Sequence, residues 1–144
     1  MTTKVVVCGD CGARNRVPAA APGTPRCAKC KTPLPWITDA DDTTFVEVVE
    51  AATVPVIVDL WAPWCGPCRM VSPVLESIAR QYAGRVKLVK VDVDESPSVA
   101  SRFEVRGIPT LLLVNRGQVV SRQTGAAPEP ALRSWLDVGL SGIA

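Results

Sequence analysis

Val56-Ile57-Val58-Asp59-Leu60-Trp61-Ala62-Pro63-Trp64-Cys65-Gly66-Pro67-Cys68 is the stretch that decides the fold. Its first six residues are apolar apart from Asp59, as in a central strand buried on both faces. Beyond Cys68, apolar residues recur at Met70, Val71, Val74, Leu75, Ile78 and Ala79, which is helical spacing. Pro73 lies inside that helix and should kink it, and Gly84 is placed to end it. A Cys-x-x-Cys pair at a strand-to-helix junction is a dithiol at a helix N-terminus. Unpaired backbone N–H groups and the helix dipole stabilise a thiolate there. Cys65, at the helix start, is therefore read as the attacking sulfur. Cys68, one turn in, is read as the more buried, protonated resolving thiol. The two-residue spacer lets both sulfurs reach disulfide geometry, and Pro67 suits a first helical turn.

Working outward, Trp36-Ile37-Thr38 reads as a short strand and Asp39 to Asp42 as an acidic helix start. Phe45, Val48 and Val49 form that helix's apolar face, and Pro55 either closes it or begins the next strand. Residues 85–94 read as a buried strand, 97–103 as a short helix and 110–114 as a strand. Asn115-Arg116-Gly117-Gln118 is a hairpin turn, 119–123 its return strand, and 128–140 a helix with Leu132, Trp135 and Leu136 inward. The order βαβαβαββα predicts an α/β fold, a central mixed sheet flanked by helices.

Two polar residues stand out in these strands. A carboxylate is costly to bury ionised, so Asp59 should have a raised pKa if it faces the core. Such a group could take the proton from Cys68 as Cys68 attacks a mixed disulfide. A solvent-facing strand residue is the plainer reading for an isolated Asp, but the apolar neighbours on both sides favour burial. Lys90, in the adjacent predicted strand, either modulates Asp59 or is a solvated side chain. Trp64 either joins an apolar docking surface or packs. Pro109, in Gly107-Ile108-Pro109-Thr110, is trans by default; a cis bond would open the Ile108 backbone to an extended polypeptide.

Residues 1–35 look like a separate module. Cys8-Gly9-Asp10-Cys11 and Cys27-Ala28-Lys29-Cys30 are two knuckles with zinc-ribbon spacing. Gly9 and Gly12 should ease the turns. Four thiolates make a closed zinc site, structural or redox-sensing, and so short a segment needs the metal to fold. Two redox-active or incidental dithiols are the alternative. A third metal knuckle at Cys65 and Cys68 would lack a partner pair. Residues 1–35 carry six basic residues against Asp10, a net +5, and the remainder of the chain is −3. The overall +2 is too small to argue for nucleic acid. With no His in the chain, Ser-His-Asp and Cys-His catalysis are excluded. No signal peptide and no membrane-length apolar run is visible, so a cytoplasmic protein is expected, where cysteines serve metal binding or redox chemistry.

Residues 37–144 resemble a thioredoxin. The resemblance rests on residues 58–69, on Val89-Lys90-Val91-Asp92 and on residues 106–113, in that order along the chain. With the double knuckle, the whole chain resembles the zinc-containing bacterial thioredoxin 2 type. The division is then 1–35, zinc-ribbon-like, and 36–144, thioredoxin domain. The resemblance implies a protein-disulfide reductase with Cys65 as nucleophile and Cys68 as resolving thiol. Asp59 would be the buried acid–base group beside Lys90, and Pro109 a cis proline next to the dithiol. Trp64, Gly66, Pro67, Ile108, Pro109 and Gly125 would border the substrate. Leu60, where Phe is frequent, stays apolar, and Arg69, where Lys is frequent, keeps the charge. Thioredoxin reductase would be the electron donor and disulfide-containing proteins the substrates. A monomer is expected, with neither nucleic acid nor membrane as partner. The competing reading is a zinc-dependent binding or holdase module on a thioredoxin platform.

Overall fold

A computed structural model describes residues 3–143. Its larger sheet has five strands in the order β3-β5-β4-β6-β7. These are β3 (Ile37–Ala40), β4 (Val56–Trp61), β5 (Lys87–Asp92), β6 (Thr110–Asn115) and β7 (Gln118–Thr124). β3 and β4 run parallel to β5, and β6 and β7 add antiparallel strands. The sheet is flanked by a short π-helical turn (Val46–Glu50), α1 (Gly66–Gln81), α2 (Pro97–Arg102) and α3 (Glu129–Ser141). The element order matches the predicted βαβαβαββα. At the hairpin, Arg116 and Gly117 both have positive φ, as a two-residue loop between twisted strands requires.

Strand alternation sorts the core into two layers. Val56, Val58, Leu60, Val89, Val91, Leu112 and Val114 face the π-helical turn and α2. Ile57, Leu88, Leu111 and Leu113 face α1 and α3, against Val71, Leu75, Ile78, Leu132 and Leu136. α3 lies so close to the sheet that a Cβ on Gly139 would overlap Leu113. Asp59 shares the period of Ile57, so its position on β4 is on the α1 side.

Three local expectations are corrected. Met70 is 74% exposed, because the buried stripe of α1 runs through Cys68, Val71, Leu75, Ile78 and Ala79 and leaves Met70 off it. Asp39 and Ala40 extend β3 instead of starting a helix. Asp41 performs the cap, accepting from the N–H groups of Thr43 and Thr44 at 2.9 and 3.1 Å. Asp42 reaches α2, where it accepts from the N–H groups of Ser98 and Val99. In the knuckles, the positive φ falls at Gly12 and at Lys31, the residue after the second Cys of each, and not at Gly9.

The N-terminal residues form a two-stranded antiparallel sheet, β1 (Thr3–Val7) with β2 (Arg14–Pro18). Their buried cluster contains Cys8, Val17, Cys27, Leu34, Trp36 and Val54. Trp36 joins both parts: its Nε1 donates to the Pro18 carbonyl, and its own carbonyl accepts from the Leu88 N–H. Lys87, which the sequence reading passed over, is fully buried at this junction. Its Nζ donates to the carbonyls of Ala19 and Val48, both at 2.6 Å, and lies 4.0 Å from the centre of the Trp36 ring. Burial pulls this amine down to about 8, while two carbonyls and the ring face its charge.

Candidate active site

Cys65 and Cys68 are joined in a disulfide, with Cα atoms 5.3 Å apart. Cys65 is the N-cap of α1 in an extended conformation, and its Sγ accepts from the Cys68 N–H at 3.2 Å. The sulfur therefore occupies the position where a helix end favours negative charge. The first turn of α1 carries no acidic residue to oppose that charge. Arg69 steadies the preceding loop by donating to the Pro63 carbonyl at 2.8 Å. The two cysteines are almost equally buried, at 3% and 1% exposed, with Ala62, Trp61, Val93 and Ile108 packed around them.

The Ile108–Pro109 bond is cis, and the Ile108 carbonyl oxygen lies 3.8 Å from Cys65 Sγ. Beyond it, the Pro109 carbonyl accepts from the N–H of Gly125, whose φ is +89°. Trp64 is 69% exposed, and its ring is held by an indole hydrogen bond to Asp94 Oδ2 at 2.8 Å. Trp64, Val93, Val105 and Ile108 line one shallow depression. Gly66 and Pro67 form the exposed first residues of α1, with open space around the position of a Gly66 side chain. Of the predicted surface residues, Trp64, Gly66, Pro67 and Ile108 thus gather about the dithiol, and Pro109 backs them. Gly125 enters through its backbone bond to Pro109.

Asp59 is buried, at 1% exposed. Its Oδ2 accepts from Ser72 Oγ at 3.2 Å, and among the described residues Oδ1 has no hydrogen-bond partner. Burial pushes its carboxyl up to about 6, with the Lys90 charge and the Ser72 hydrogen bond pulling the other way. Lys90 pairs with Asp59 across the β4–β5 ladder, and its Nζ lies 5.4 Å from the centre of the Trp61 ring. Sequence reasoning missed Ser72, Asp94 and Lys87. Only Ser72 had a usable signal, since it lies four residues after Cys68 on the predicted helix.

The sequence model of the thioredoxin family matches residues 36–138. The chain belongs to the thioredoxin family. It is similar to a thioredoxin 1 of Synechococcus elongatus, 53% identical over 96 residues that span 67% of this chain and 90% of that protein. A thioredoxin of Haemophilus influenzae is 48% identical, across 70% of this chain and 92% of its own length. Thioredoxin C-3 of Corynebacterium nephridii is 38% identical over 137 residues, covering 92% of this chain and 93% of its own. That alignment is too long to fit within residues 36–138 and reaches into the Cys-rich segment. With its Cys65–Cys68 pair, this thioredoxin is a protein-disulfide reductase.

Four further cysteines form a second cluster. The sulfurs of Cys8, Cys11, Cys27 and Cys30 all lie within 4.8 Å of one another and could hold a metal ion. Two pairs, Cys8–Cys30 and Cys11–Cys27, are 3.6 Å apart. Each knuckle is closed alike: the Gly12 N–H donates to the Cys8 carbonyl, and the Lys31 N–H to the Cys27 carbonyl. This cluster packs beside Val54, just before β4 begins, whereas the dithiol follows the end of β4. Six strand residues separate the two sites, roughly 17 Å of chain at strand rise. No helix among the described residues is long and apolar enough to cross a membrane.

Proposed function

We propose that the reduced Cys65 thiolate attacks a protein disulfide, forming a bond to one substrate sulfur and releasing the other as a thiol. Cys68 then attacks Cys65 Sγ, forming the intramolecular disulfide and releasing the second substrate thiol. Two electrons pass from the dithiol to the substrate. Asp59 takes the Cys68 proton in that second step, with the Lys90 charge tuning it. The observation that carries this reading is the seat of Cys65 Sγ, at the N-cap of α1 and beside the Ile108 carbonyl. Trp64, Gly66, Pro67, Ile108, Pro109 and Gly125 border the substrate. Thioredoxin reductase is the proposed electron donor, working on a monomer.

The four N-terminal cysteines are proposed to hold one structural zinc ion, as in the thioredoxin 2 type, with residues 1–35 as its domain. Zinc–thiolate bonds of about 2.3 Å would set tetrahedral sulfurs about 3.8 Å apart, close to the separations seen here. Zinc supplies folding energy at such a site, and a closed four-sulfur set leaves no open position for substrate.

Insulin reduction tests the exchange. Cys65→Ser should abolish it, and Cys68→Ser should accumulate a mixed disulfide resolvable by mass spectrometry. Full turnover by either variant would refute the assignment.

A further inference from the structure

We propose that Ser72 is a positioning residue for the Asp59 carboxyl: it holds Oδ2 and leaves Oδ1 as the oxygen that exchanges the proton. This rests on the reading of Asp59 as proton acceptor. Ser72 lies four residues after Cys68 on α1, so both project from one face of the helix. Asp59 comes from β4, on the side of the sheet that α1 covers. The Ser72–Asp59 hydrogen bond thus joins α1 to β4, one turn of helix beyond Cys68.

A helical serine has a competing acceptor, the carbonyl four residues back, which here belongs to Cys68. Ser72 Oγ instead donates to Asp59 Oδ2 at 3.2 Å. The carboxyl has two oxygens, and the hydroxyl commits one of them. Oδ1 is fully buried without a partner among the described residues, which is costly for an oxygen with no role. A proton arriving on Oδ1 neutralises the buried carboxylate and so lowers the cost of its burial. Ser72 is half-buried, while Asp59 is shut away at 1% exposed.

The step balances as follows. The Cys68 S–H bond breaks and its proton moves to Oδ1. The Cys68 sulfur bonds to Cys65 Sγ, and the bond from Cys65 to the substrate sulfur breaks. The departing thiolate takes its proton from water. Two charges also face Asp59: Lys90 on β5 favours its ionised form and Glu76 on α1 opposes it. A hydrogen bond to the ionised carboxylate favours that form, so Ser72, together with Lys90, keeps Asp59 ionised to lower pH than burial alone would allow. Removing the hydroxyl should therefore raise the pH at which Asp59 ionises and slow the second step below that pH.

The test uses the full-length zinc-loaded protein as wild type, Ser72→Ala, Ser72→Thr, Asp59→Asn and the Ser72→Ala/Asp59→Asn pair. The Asp59 carboxyl is titrated by 13C NMR, and insulin reduction with dithiothreitol as donor is followed against pH. Ser72→Ala should move the carboxyl titration upward by about one pH unit and carry the pH–rate inflection with it, a loss of about fivefold near pH 6 that disappears near pH 9. Ser72→Thr, which keeps the hydroxyl, should restore both. In the Asp59→Asn background, Ser72→Ala should change nothing. A carboxyl titration unmoved by Ser72→Ala would overturn the positioning role alone. An Asp59→Asn profile identical to wild type would overturn the proton-acceptor reading beneath it.

Discussion

Replacing Asp59 with Asn removes a buried charge while keeping the size of the side chain. Asp59 titrates at about 6 in the folded protein, because of burial, against an ordinary value of 3.8. The folded state therefore binds the proton more tightly than the unfolded chain does. Below about pH 4 both states are protonated and the residue costs nothing through ionisation. As pH rises from about 4 to about 6, the unfolded chain ionises first, and folding stability falls. Above about pH 6 the loss is complete, and it amounts to about 3 kcal/mol. Asparagine has no such cost. Asp59→Asn should be about 3 kcal/mol more stable than wild type near pH 7.5, with the difference vanishing near pH 4. Urea unfolding of the oxidised proteins, followed by tryptophan fluorescence at a series of pH values, measures this. Metal loss from the N-terminal cysteines at low pH is common to both proteins and cancels in the difference. A stability difference of the same size at both ends of the pH range would refute the desolvation argument, as would a less stable variant near pH 7.5.

Lys87→Met removes the two charge-assisted hydrogen bonds to the Ala19 and Val48 carbonyls. At about 1.5–3 kcal/mol for such bonds, amide exchange in residues 14–20 should accelerate roughly tenfold to a hundredfold, with the β4–β6 ladder unchanged. A uniform change, or none, would count against a local anchoring role. Metal analysis should find one zinc per chain, and chelation should unfold residues 1–35 while insulin reduction by Cys65 persists. Loss of reduction together with the metal would favour the zinc-dependent binding reading instead.

The parts of the site legible in the sequence were those set by local geometry. Two residues between cysteines, a strand before them and a helix after them are enough to make Cys65 the sulfur at a helix end. The oddity of Asp59 was visible too, because a carboxylate among Val58, Leu60 and Trp61 has few plausible roles. The part Ser72 plays is not legible in the sequence, since it depends on which face of α1 meets β4. Met70 fits the helical spacing of the apolar face as well as Val71 does, and only the packing of α1 leaves it outside the buried stripe. Asp42 looked like a local cap, yet its carboxylate serves α2, more than fifty residues away. The Ile108–Pro109 bond is trans by local preference and cis in the fold.

By itself the sequence determined the element order from Trp36 onward, the α/β class, the dithiol and the two Cys-x-x-Cys knuckles, but not β1 and β2. The elements follow from helix and strand periods acting on neighbouring residues, and the cysteine pairs from their spacing along the chain. Tertiary structure alone decided which polar groups meet: Ser72 with Asp59, Trp64 with Asp94, and Lys87 with a carbonyl 68 residues away. Those pairings arise where separately formed elements pack. A buried polar atom must find its partner among whatever groups that packing brings within reach.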